Sequence, residues 1–334
     1  MARIVLGVGT SHTPMLNMAV EDWPRFIELD RHRAHRHTDG RPATYDELLA
    51  VAPASIPSEI TVGKMVQRHG DAMAAMDRLH EALAGAALDA LIVVGDDQKE
   101  LYHDDHMSSV LVYRGATIPN VPNRDGNLGA GDLRRPDWAR RASARYNEES
   151  ETRLYPVHAG LADHLVRALI DAEFDVACSN ALPEGQGEGH AFGFVHKRIL
   201  RGTTIPIVPV FLNTYYPPNQ PSPRRCYRLG QAIRSAVDSF KGPLRVGIVA
   251  SGGLSHFTVD EQLDREVIRA LEKKDGAALQ ALPRERLESG NSEIRNWICA
   301  AGALESLPLD WVRYCPGYRT PAGTGTGLCF ALWR

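Results

Sequence analysis

The sequence predicts an α/β protein, a layered sheet flanked by helices, and two observations predict it. Apolar runs rich in β-branched residues recur at 4–8, 91–94, 110–113, 174–177, 205–212, 246–250 and 328–332. Each has strand length, and most are nearly continuous rather than alternating, the pattern of strands covered on both faces. Helical periodicity lies between them, at 62–84, 159–171, 225–240, 260–271 and 292–304. Strands that alternate with helices build a layered sheet.

Three stretches interrupt this rhythm. Residues 24–60 and 116–157 are rich in charge, histidine or proline, and loops of that length in a compact domain are commonly lids, contact segments or carriers of short helices. The third, "NTYYPPNQPSPRR" at 213–225, has four prolines, which prevent continued helix and disfavour a central strand. It reads as an ordered turn near a strand end. The 334 residues suffice for one large core, and a single domain over 1–334, with 24–60 and 116–157 as lid or subunit contact, is the expected organisation.

Composition narrows the function classes. A formal charge of −3 offers no general attraction to nucleic acid or to an anionic membrane, so a small-molecule substrate is expected. The five cysteines are widely spaced without a CxxC pair, which reads as free thiols in a reducing compartment. The apolar run at 4–8 is too short for a signal segment, and no run approaches the ~18 residues of a membrane span. A cytoplasmic protein is expected.

Polar residues gather where strands end. His12 follows the first strand in "GTSHTP", Gln98 follows 91–94 in "GDDQ", His256 follows 246–250 in "SGGLSH", and His190 follows 174–177 through the glycine-rich "EGQGEGHAFGF". In open α/β sheets, sites form beyond the carboxyl ends of the strands. Any one of these histidines, alone, is more simply a satisfied core or surface residue; their common placement beside Gly and Ser favours a shared cavity. In "SGNSEIRNWICAAGALE", Asn291 and Ser292 have capping chemistry and place Glu293 in a first helical turn, where the helix dipole favours a carboxylate. His32, His35 and His37 alternate with Arg33 and Arg36, so a solvated basic surface is expected rather than a metal tract. His69, His80, His158, His164 and His196 fall in or beside helical patterns and read as structural. Neither "GVGTSH" nor "GTGTG" has the spacing of a nucleotide-binding turn.

These residues carry a resemblance. "GTSHTPML", "GHAFGF", "NTYYPPNQPSPRRCYRLGQAIR", "GGLSHF", "EIRNWICAAGAL" and "PAGTGTGLCFALW" together resemble the class III extradiol ring-cleaving dioxygenases, the family of the protocatechuate 4,5-dioxygenase β subunit, almost end to end. The nearest branch is that of gallate and 3-O-methylgallate dioxygenases. The resemblance implies one catalytic domain in which Fe(II) is held by two histidines and a glutamate, and an aromatic diol or triol opened by O2 outside the diol, without a reductant. It assigns His12 and Glu293 to the metal, His256 to acid/base catalysis and His190 to the substrate side. A homo-oligomer, a dimer, is expected; the small helical subunit that often accompanies the family is not evident in the chain.

The second iron histidine should follow the 91–94 strand, where this sequence has Gln98. An amide oxygen is a weaker, harder donor than imidazole and would tilt the site towards Mn or Mg. Gln98 is expected to ligate the metal or to position a water on it, and "GDDQ" resembles sequences of the 3-O-methylgallate branch. The alternatives are that His103 or His106 supplies the missing ligand, or that the site holds metal poorly and the protein is a binder. A hydrolase using the same residues around Zn is a further alternative. Tyr215, Tyr216 and Arg224 are candidates to face the substrate, the arginine for a carboxylate.

Overall fold

The structure, a computed structural model, describes residues 1–123 and 136–334. Nine strands form the central sheet of the described residues: β1 (Arg3–Thr10), β2 (Ala90–Asp96), β3 (Val110–Tyr113), β4 (Ala177–Ser179), β5 (Ile207–Leu212), β6 (Arg245–Ser251), β7 (His256–Thr258), β8 (Leu309–Tyr318) and β9 (Thr324–Trp333). Their order is β7-β9-β1-β6-β2-β5-β3-β4, with β8 paired to β9. The centre is parallel, β1 to β6 to β2 to β5. β9 lies antiparallel to β1, and β3 antiparallel to β5.

Helices cover both faces, which explains the unbroken apolar runs. Along β2, Ala90, Ile92 and Val94 pack on one side with residues of α2 (Ala159–Asp171), α3 (Pro223–Ser239), α4 (Glu261–Glu272) and α5 (Ile294–Ala303). Leu91 and Val93 pack on the other side with Met65, Met76 and Leu79 of α1 (Val62–Gly85) and with Phe192 and Phe194. α5 lies close on α3: a Cβ on Gly230 would stand 1.9 Å from the Cys299 carbonyl oxygen, and one on Gly302 2.1 Å from that of Tyr227. Among the described residues no helix is long and apolar enough to cross a membrane.

One expectation for the strands needs correction, and β8 has no counterpart among the apolar runs. The run 174–177 contributes only its last residue to β4. Glu173 takes a left-handed conformation (φ +65°), its N–H bonds Ile170 O, and the Phe174 N–H bonds Leu169 O. Phe174 is therefore the apolar residue that closes the C-terminus of α2, a role that spends its hydrophobicity on a helix end. β8 escapes sequence pattern because it pairs on one side only and is half exposed, with Pro316 tolerated on such an edge.

The interrupting segments are structured where described. Residues 24–60 hold a two-stranded ribbon, His35–Arg36 with Pro42–Ala43, and a helix Tyr45–Val51 started by a Thr44–Glu47 capping box. Within 116–157, Thr117–Asn120 pairs with Arg153–Pro156 and a helix spans Asp137–Ala144; residues 124–135 of that expected lid lie outside the described residues. The histidine tract is not a solvated surface throughout. His35 is buried with Nε2 2.6 Å from Asp30 O, while Arg33 lies 3.5 Å over the Phe257 ring and reaches the central cavity.

Candidate active site

The carboxyl ends of β1, β2 and β6 open on a cavity of about 330 Å³. His12, Gln98, His190, His256 and Glu293 all line it, so the residues singled out in the sequence converge. His12 follows β1 and is buried. Its Nδ1 lies 3.0 Å from Ser251 Oγ, and that hydroxyl already donates its proton to Ala191 O at 2.7 Å. Ser251 must therefore accept from His12, which fixes the neutral imidazole proton on Nδ1 and leaves the Nε2 lone pair bare. His12 Nε2 is buried without a hydrogen-bond partner; Glu293 Oε2 is 3.1 Å away but out of line. A bare, buried imidazole nitrogen beside a carboxylate suits a divalent metal.

Glu293 ends a 3-10 turn, Ser289–Glu293, that runs into α5. The expected caps serve elsewhere: Asn291 Oδ1 accepts from the His256 N–H at 2.8 Å, and the Ser292 hydroxyl donates to Thr214 Oγ1 at 3.2 Å. Glu293 instead receives the Gly253 N–H at 2.8 Å and the Gln98 amide at 3.1 Å, with His256 Nε2 also 3.1 Å distant. Burial alone would raise its pKa, but the charge of the His256 imidazole facing it outweighs burial and holds it well below the usual range. Gly290 brings this turn against His256: a Cβ there would be 2.0 Å from His256 O.

His256 Nδ1 donates to Leu254 O at 2.9 Å, which aims Nε2 at Glu293 and the cavity. Burial works against its protonation, and Glu293 overcomes burial to raise its pKa. His190 opens a short helix, His190–Phe194, and Glu100 holds it twice, through the backbone N–H and through Nδ1 at 2.6 Å. Its pKa is pushed up to about 10 against the effect of burial, chiefly by Glu100. His190 packs edge-on against His12 with ring centroids 4.6 Å apart.

One residue was missed in the sequence. Asp96, the last residue of β2, is fully buried and belongs with His12, His190 and Glu293 to a group whose ligand atoms lie within 4.8 Å of one another. Its place at a strand end, beside Gln98 in "GDDQ", was the available signal. Burial and the Glu293 charge raise its pKa. The neighbouring Asp97 turns away and accepts the N–H groups of Leu101 and Tyr102 at 3.0 and 3.1 Å. Gln98 donates its amide to both Asp96 and Glu293, at 3.3 and 3.1 Å. His103 and His106 are exposed and do not line the cavity, so the alternative in which one of them is a ligand has no structural support.

Tyr215 and Tyr216 line the cavity; Arg224 does not, being exposed on the first turn of α3. The cavity's cations are Arg33, Lys99 and Arg319. Arg319 is bound to buried Asp30 by two hydrogen bonds, at 2.7 and 2.8 Å; Arg33, from the expected lid segment 24–60, lies 4.0 Å from the same carboxylate, and Lys99, directly after Gln98, pairs with Asp104 at 2.7 Å.

Comparison with known proteins agrees with this geometry. The family described as the catalytic LigB subunit of aromatic ring-opening dioxygenase matches residues 145–329, more than half of the chain. Gallate dioxygenase of Pseudomonas putida is 36% identical over 102 residues, 30% of this chain and 28% of that protein. The 2,3-dihydroxyphenylpropionate/2,3-dihydroxicinnamic acid 1,2-dioxygenase of Comamonas testosteroni is 35% identical over 96 residues, 29% of this chain and 27% of that one. The same-named enzyme of Paraburkholderia xenovorans is 39% identical over 223 residues, 48% of this chain and 67% of its own. The match thus spans less than a third of the first two relatives and two thirds of the last. A family match over the half of the chain that carries His190, His256 and Glu293, on a helix-covered sheet, establishes the relationship: this chain belongs to the LigB family of aromatic ring-opening dioxygenase catalytic subunits.

Proposed function

We propose that the chain is an extradiol dioxygenase, a single catalytic domain that opens the ring of a catechol- or gallate-type aromatic with O2, using Fe(II) held between His12 and Glu293. The observation that carries this reading is the convergence of the unpaired His12 Nε2, Glu293 and two further imidazoles on one cavity at the strand ends. The metal, when bound, supplies a Lewis acid that acidifies a diol and a one-electron partner for O2. The chain's own residues do the rest.

His256 Nε2 faces the ligand carboxylate from the cavity side, where it can take a hydroxyl proton from the diol and return it when the ring opens. One imidazole serves both directions because its nitrogen accepts a proton when neutral and donates one when protonated. His190, braced by Glu100, presents Nε2 as a hydrogen-bond donor to a substrate oxygen. Phe26, Leu29, Pro14 and Phe257 give the cavity apolar walls for a ring, and Tyr215 and Tyr216 stand at its rim.

The substrate we infer is an acid. The relatives' names specify gallate, dihydroxyphenylpropionate and dihydroxicinnamic acid, and the Arg33 guanidinium, over the Phe257 ring, lines the cavity of this chain. Anaerobically purified protein reconstituted with Fe(II) should consume O2 and form a yellow ring-opened product with at least one carboxylated catechol or triol. Full iron occupancy without uptake across such a panel would sink the proposal, and metal-dependent ester or amide hydrolysis by the same preparation would favour the hydrolase reading.

A further inference from the structure

We propose that Asp96, and not Gln98, is the third protein ligand of the metal, with Gln98 bracing the two carboxylates from outside. The inference rests on the reading that a metal sits between His12 and Glu293. Asp96 has the position for it. As the last residue of β2 it is fixed by the sheet, on the side of the strand that faces α5. Asn296 Nδ2 holds its Oδ1 at 3.1 Å. Asn296 stands three residues after Glu293, one turn along the same helical stretch, so a single segment aligns both carboxylates. The other oxygen, Oδ2, accepts the Gln98 amide at 3.3 Å and faces the space shared with His190 Nε2, 4.0 Å away.

The distances suit a common ion. The ligand atoms of His12, Asp96, His190 and Glu293 lie within 4.8 Å of one another, and two donors each ~2.2 Å from one ion are at most about 4.4 Å apart, a difference that small side-chain adjustments close. Ion-pair contacts of Asp96 and Glu293 are with imidazoles, so a divalent cation would compensate buried negative charge there. The bare and buried His12 Nε2 is an independent sign that an electrophile belongs in this space.

Gln98 is ill placed to do the same work. It lies two residues beyond the strand and is only partly buried. Its two neighbours here are carboxylate oxygens, which only accept, so the NH2 end must face them and the carbonyl oxygen faces away. An amide NH2 cannot ligate; it can keep two carboxylates together. The departure from the family pattern is then compensated two residues upstream. Exchanging an imidazole for a carboxylate makes the protein's three ligands dianionic and harder, which shifts preference towards Mn(II) relative to a two-histidine site. His190, committed to Glu100 through Nδ1, stays available to the substrate.

Anaerobic calorimetric titration of the full chain with Mn(II) and with Fe(II) tests this without recourse to turnover. Asp96→Asn should weaken both ions at least tenfold, and by more than Gln98→Ala does. Asp96→Ser should behave in the same way and serves if the asparagine variant fails to fold. Wild-type affinity in a folded Asp96 variant, or a larger loss in Gln98→Ala, would overturn the assignment. A wild-type protein whose binding is not reduced by His12→Ala would instead remove the metal reading on which the assignment rests.

Discussion

His256 is one of three imidazoles around Glu293, and its surroundings separate its task from theirs. The Leu254 carbonyl orients its ring and the N–H of its backbone is tied to Asn291, so truncation removes the imidazole and leaves His12 and Glu293 in place. His256→Ala should lower ring-opening kcat by ~10²–10⁴ while Mn(II) still binds, as titration will show; near-normal turnover would remove it as the acid/base group. Arg33 has a narrower role. Stacked on Phe257 beside that base, it is placed to meet a substrate carboxylate, and a charge-assisted hydrogen bond contributes about 1.5–3 kcal/mol. Arg33→Ala should therefore raise KM for a carboxylated catechol roughly tenfold or more and leave KM for unsubstituted catechol little changed.

At the scale of elements, the site depends on how closely α5 approaches its neighbours. Glu293 enters α5, and the helix is seated on α3 by backbone contact at Gly230 and Gly302. Gly302→Ala would force a Cβ against the Tyr227 carbonyl, and overpacking of this kind costs about 1–3 kcal/mol. The urea midpoint should fall accordingly, and metal affinity should fall with it, since a displaced α5 carries both Glu293 and Asn296. An unchanged midpoint would mean that the two helices separate at little cost. The proline-rich turn is fastened by the same helix: buried Arg295 donates to Pro221 O, Thr214 O and Leu287 O, which carries the Tyr215–Tyr216 rim towards the Glu293 turn.

The whole molecule should show a pH dependence of stability set by a buried acid outside the metal centre. Asp264, on α4, accepts from the Ser255 N–H, the Ser255 hydroxyl and the Tyr314 hydroxyl, all at 2.7 Å. Burial outweighs these bonds and raises its pKa from 3.8 to about 7. A folded-state value above the unfolded one means that the native protein binds the extra proton, so this stability is present below pH ~4 and is lost as pH rises towards 7. At 1.36 kcal/mol per unit the contribution is up to about 4 kcal/mol. Chemical denaturation at pH 5 and pH 8 should show wild type losing more stability on alkalinisation than Asp264→Asn; equal slopes would disprove the assignment.

Much of the architecture was written in local pattern. Continuous apolar runs announced buried parallel strands because both faces of that sheet are covered, and α1 to α5 followed from period within a residue or a few of their observed ends. His12, His190 and His256, read at strand ends and glycine-rich turns, and Glu293, read at a helix start, do line one cavity; the roles given to them came from the family resemblance. Only the tertiary structure could decide the rest. Asp96 becomes a ligand candidate through Asn296, two hundred positions away in sequence, and the bare nitrogen of His12 depends on a Ser251 hydroxyl already committed to Ala191. Arg33, in a tract that reads as basic surface, is turned into the cavity by the ring of Phe257. Periodicity encodes which face of an element is buried, but the identity of the groups that meet beyond its end is set by long-range packing, on which a local pattern carries no information.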